Sequence, residues 1–146
     1  MDTLKEAILN SDFIKAKELI LNTKKEEIEN KLIELAFELD DIGIYFLISD
    51  IASDKEEAFW HSMVSTILST AFCHICGAYQ VAFKHMTKAM QLEPKNIRYM
   101  EGILLFYSIP EKVLNFQQVK KIVKDILDIN PDNETAKRII NSNHEK

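Results

Sequence analysis

With only three glycines and three prolines in 146 residues, the chain lacks the turn residues that a fold of many tight hairpins needs. Helices are favoured over strands. Two cysteines, at Cys73 and Cys76, are too few for a disulfide framework and too close together to staple distant elements, a usage that suits a reducing compartment. The longest apolar stretches, "IGIYFLI" and "ILLFY", fall far short of the ~20 residues that span a bilayer. Nor does a basic segment followed by an apolar run and a small-residue cleavage site stand at the start. A cytoplasmic protein with no membrane partner is expected. The serines of "HSMVSTILST" have no Gly-x-Ser-x-Gly elbow, and no glycine-rich phosphate loop occurs. The sequence therefore requires neither an enzyme nor a cofactor.

What is present is a core-forming composition. Apolar residues make up 47% and charged residues 28%, enough hydrophobic material for one domain without metal or disulfide support. The net charge of −5 is unevenly spread. Residues 1–56 carry seven Lys against fourteen Asp or Glu, net −7, while the remainder carries eleven Lys or Arg against nine acids, net +2. Phosphate binding needs a dense basic patch, so the N-terminal half is a poor nucleic-acid grip and suits a basic protein partner better.

Apolar residues recur at three and four almost throughout, which predicts an all-α fold of about nine helices. "LKEAIL" forms the first, closed at Asn10, and Ser11 with Asp12 caps "FIKAKELIL". Thr23 with Glu26 has capping-box spacing and starts a third helix to Leu39, with Ile28, Leu32, Leu35 and Leu39 inward. Asp40 or Asp41 opens the fourth. Ser53 with Glu56 repeats the box and starts a long fifth helix from Asp54 to Cys76, ended by Gly77. The sixth ends near Glu93. Asn96 caps a seventh that stops before Pro110, Asn115 with Gln118 starts the eighth, and a last helix spans 134–140 ahead of a polar tail, 141–146.

In "GAYQVAFKHMTKAMQLEPKN", Ala82 and Ala89 lie seven apart on one helical face with Met86 between them, so neighbouring helices can approach closely. Gly77, Ala78, Tyr79, Ala82, Met86, Ala89 and Pro94 together resemble the second helix of a tetratricopeptide (TPR) repeat. A second copy follows with Pro131 lying 37 residues after Pro94, against a family period of roughly 34, and with Val119, Val123 and Ile126 at its packing positions. Ser11, Asp12, Phe13 and Ala16 echo the same opening. The chain departs from the family pattern at Thr66, Trp60 and Leu104. The resemblance implies a single TPR-like domain, a right-handed stack of antiparallel hairpins (α-solenoid), with 1–56 divergent and acidic and 57–140 repeat-like. It also implies a concave surface lined by Val64, Ile67, Ala71 and His74 of the fifth helix and by Arg98, Glu101 and Leu105 of the seventh.

Several side chains are candidate binding residues. Glu34, Glu38, Asp40 and Asp41 are the densest carboxylate group, either a solvated face with a cap or a surface for a basic partner. Phe46, Phe59, Phe72, Tyr79, Phe83, Phe106 and Tyr107 fall at core spacing, while Trp60 and Tyr99 adjoin polar residues and are the expected partner anchors. "CHIC" offers two thiols and His74, but a structural zinc site needs four ligands, and His61 and His85 are scattered along the chain. The two cysteines read as small buried hydrophobes. Stretches such as "EAFWHSMVSTILST" and "YSIPEKVLN" resemble helical immunity proteins of bacterial polymorphic-toxin systems. That resemblance implies a monomer or weak homodimer that binds and occludes a basic toxin domain, without cofactor or metal. The alternatives are a TPR-like adaptor taking a peptide in its concave groove, and a Cys/His metal- or thiol-dependent enzyme.

Overall fold

A computed structural model describes residues 3–111 and 113–144, without the side chains of 143 and 144. Among the described residues there are nine α-helices and no strand. They are α1 (Thr3–Leu9), α2 (Phe13–Leu21), α3 (Lys25–Leu39), α4 (Gly43–Lys55), α5 (Ala58–Ser69), α6 (Ala78–Leu92), α7 (Ile97–Leu104), α8 (Phe116–Ile129) and α9 (Glu134–His144). A 3-10 turn, Leu105–Tyr107, extends α7 before Pro110. The last helix runs past residue 140, so the polar stretch after it is helical as far as His144; residues 145–146 lie outside the described residues.

Capping chemistry sets several boundaries. Asp12 accepts from the Lys15 amide and Asn96 from the Arg98 amide, while Asn115 and Gln118 form a reciprocal capping box. The other two boxes do not form. Thr23 donates its hydroxyl back to the Leu19 carbonyl at 2.8 Å, leaving Lys24 at the N-cap of α3. Ser53 lies inside α4, which continues to Lys55 and stops where Glu56 turns left-handed at φ 51°.

The fifth helix is also shorter than its pattern predicts, ending at Ser69 rather than Cys76. Hydroxyls offer the reason. Thr66, Ser69 and Thr70 donate to the carbonyls of Ser62, Ser65 and Thr66, and such bonds compete with the helical ladder. Turns then carry the chain through 70–77 to Gly77, whose φ of 85° suits a residue without Cβ.

One hydrophobic cluster gathers buried residues from Leu4 to Ala136. The predicted inward side of α3 is there, with Ile28, Leu32 and Leu35 buried, and Leu39 packs partly buried against it. Ala82 and Ala89 are fully buried, and α6 packs on α5 before it and α7 after it. Met86 fills the gap and meets Gly102, where an added Cβ would lie 2.8 Å from the Met86 Cε. The small partner on α7 is thus Gly102, two residues before Leu104. Sequential neighbours α1–α2, α4–α5, α7–α8 and α8–α9 also pack, as do α2 on α4 and α3 on α5.

Candidate functional site

The inward stripe of α3 fixes which residues point away from the core. Glu34, Phe37 and Glu38 follow one another at helical spacing on the opposite side, and Phe37 stands 60% exposed between the two carboxylates. Asp40 takes a left-handed conformation (φ 48°) that ends the helix, and Asp41 Oδ1 accepts the Gly43 amide at 2.8 Å to start the next. No basic residue occupies the last turn of α3. Glu38 and Asp40 therefore sit at the helix end whose carbonyls already carry partial negative charge, an arrangement that costs about 0.3–1 kcal/mol per residue in local stability. Lys5 bonds Glu38, and His74 lies 3.9 Å from Asp40 at this face.

Beside it, α4 carries Phe46, 63% exposed, with Asp50 and Asp54 at successive turns. Lys17 bridges these two acids at 2.9 and 2.6 Å. The bonds to Asp54 and then Asp50 hold the Lys17 ammonium above its ordinary range and Asp54 below the usual carboxylate range.

Of the four predicted carboxylates, Glu34 and Glu38 lie on α3 and Asp40 and Asp41 in the link to α4, and His74 approaches Asp40 from the 70–77 turns. The aromatic anchors are placed differently. Trp60 and Tyr99 are 3% and 5% exposed, and Val64 and Ile67 are equally buried, so none of the four projects as an exposed anchor, and Tyr99 reaches only the lining of the α5–α7–α9 groove. Helix α5 is enclosed by α3, α4 and α6, which removes nearly its whole circumference from solvent. Trp60 packs edge-on against Phe59 at 4.8 Å, and burial raises the Tyr99 phenol pKa. Ala71 is half-buried against the core.

A groove of about 280 Å³ does run between α5, α7 and α9, lined by Thr66, Arg98, Glu101, Leu105, Thr135 and Arg138. Arg98, Glu101 and Leu105 of the expected surface line this groove together. On α5 the lining residues are Ser62 and Thr66, a different side from Val64 and Ile67. Arg98 bonds Glu29 across the fold, and Glu101 accepts from Asn133 at 2.6 Å.

Cys73 and Cys76 are exposed free thiols, not buried hydrophobes, because the helix that was to carry them inward stops at Ser69. The Tyr79 hydroxyl bonds Cys73, which raises its own pKa. Among the described residues, no three His, Cys, Asp or Glu side chains gather into a group fit to hold a metal ion.

The two histidines that look scattered in sequence meet across the α5–α6 seam. Their Nδ1 atoms lie 3.0 Å apart with the rings stacked at 5.2 Å. Burial lowers the pKa of both, that of His85 to about 4, with His61 adding to the effect on His85. Glu56 lies 3.8 Å from His61 Nε2 and is itself paired with Lys88 at 3.3 Å. Phe37 was legible too: it lies about 200° around the helix from Leu35, off the apolar stripe. No protein-family model, no curated protein and no solved structure matches the chain.

Proposed function

We propose that the chain is a non-enzymatic protein-binding module, a TPR-like stack of helical hairpins whose α3 face receives a basic protein domain. The most concrete form of this reading is a bacterial immunity protein acting in the cytoplasm. It would bind a cognate toxin domain one to one and cover its active site. The observation that carries the reading is Phe37, exposed between Glu34 and Glu38 near a helix end that lacks any basic residue. Carboxylates placed against a helix dipole are unfavourable for folding, and a cationic partner relieves that cost on docking. An exposed phenylalanine flanked by charge supplies the desolvated centre that interface energetics require.

Neutralisation tests the reading. Cells expressing the C-terminal domain of a large secreted protein encoded beside this chain should grow when the wild-type chain is co-expressed. They should fail to grow with Phe37→Ala/Asp41→Lys at equal soluble level. Equal protection by both chains excludes the α3 face as the binding surface.

A second reading rests on the α5–α7–α9 groove, where Arg98, Arg138 and Glu101 line a slot suited to an extended peptide. Under that adaptor reading, Arg138→Ala weakens the partner and Phe37→Ala does not. Salt separates the two as well, because a carboxylate face loses affinity more steeply with ionic strength than an apolar peptide groove.

A further inference from the structure

We infer that the slot between α8 and α9 is a second docking surface, taking an amphipathic partner helix that is acidic in its first turns and basic in its last. The slot encloses about 520 Å³ and is floored by Val119, Val123, Leu127, Ile139 and Ile140. Phe116 closes one end with 40% of its surface in water. It lies on the opposite part of the sequence from the α3 face and serves a different partner chemistry.

The occupant follows from the rim. Lys120, Lys124 and Asp128 line the slot at successive turns of α8, so the wall reads positive, positive, negative along the helix. Lys120 lies over the Phe116 ring at 5.7 Å, and no ion pair among the described residues engages any of these three side chains. Their charge is available to a ligand. The 14 residues of α8 extend for about 21 Å, which matches a partner helix of roughly four turns.

Polarity is selected as well. A helix lying parallel to α8 sets its N-terminal turns beside Lys120 and Lys124 and its C-terminal turn beside Asp128. Acidic residues early and basic residues late also stabilise the partner helix itself, so a helix with this charge order is both well formed and complementary to the rim when it lies parallel to α8. The apolar side of such a helix, at three- and four-residue spacing, covers the floor of the slot.

Two labelled synthetic helical peptides of about 15 residues test this directly. They share one apolar stripe and one composition, but one is acidic-first and the other basic-first. Fluorescence anisotropy with the full chain should show the acidic-first peptide binding about tenfold tighter or better. Lys120→Glu/Lys124→Glu, two exposed positions at which folding is readily checked by circular dichroism, should reverse the order. Leu127→Asp should abolish binding of both. Equal affinities, no binding of either peptide, or binding that survives Leu127→Asp would overturn the inference. So would self-association in sedimentation that Leu127→Asp removes, since a second copy of the chain would then be the occupant.

Discussion

Mild acid should loosen this protein through the histidine pair at the α5–α6 seam. With Nδ1 of His61 facing Nδ1 of His85 at 3.0 Å, one proton between them makes a hydrogen bond and two create opposed N–H groups. Both groups have lowered pKa values, so the folded state binds fewer protons than the unfolded chain as the pH falls below 6.5. Stability is then fully present above the unfolded value and is lost as the pH drops toward the folded one. For His85, moving from an ordinary 6.5 to about 4, the loss between pH 7 and pH 5 is about 2 kcal/mol, an order-of-magnitude figure to which His61 adds. The Asp54 pKa is lowered too, but from a carboxylate's range, so its contribution is lost at lower pH than that of the histidines. Urea unfolding at pH 7, 6 and 5, followed by far-ultraviolet circular dichroism, reads the effect. His85→Gln, which keeps a hydrogen-bonding side chain but does not titrate, should remove most of the slope. A wild-type stability that stays level from pH 7 to pH 5 would refute the reasoning.

Ala89, fully buried where α6 meets its neighbours, should not accept a larger side chain: Ala89→Leu is expected to cost about 1–3 kcal/mol in urea unfolding. Exposed Cys73 and Cys76 should both react with an aromatic disulfide reagent in the native fold, at rates unchanged by denaturant. Slow reaction that accelerates on unfolding would place them inside.

The helical class was legible because the apolar spacing leaves few alternatives, and caps such as Asn96 and the Asn115–Gln118 box use local chemistry that tertiary packing does not override. The boxes at Thr23 and Ser53 failed for a related reason. Their hydroxyls have another acceptor or lie within a helix that the core prolongs, which residue spacing alone does not reveal. The same competition shortens α5 and turns both cysteines outward. Among candidate binding residues, the four carboxylates were legible as a run of charge around the end of α3. The aromatic anchors were not, since polar neighbours in sequence do not make a residue exposed: Trp60 and Tyr99 lie on helix sides enclosed by other helices, while Phe37 projects from the side opposite the α3 stripe. The meeting of His61 with His85 depends on the register of two helices joined by the 70–77 turns, which only the folded chain fixes.

The most direct test is the affinity of the native protein partner, isolated from the source cells, for wild-type chain and for Phe37→Ala/Glu38→Gln at low and high salt. A loss of tenfold or more in the variant, with wild-type binding that weakens steeply as salt rises, is the predicted result. Equal affinity of the two chains at both salt concentrations would contradict the assignment of the α3 face as the surface that recognises it.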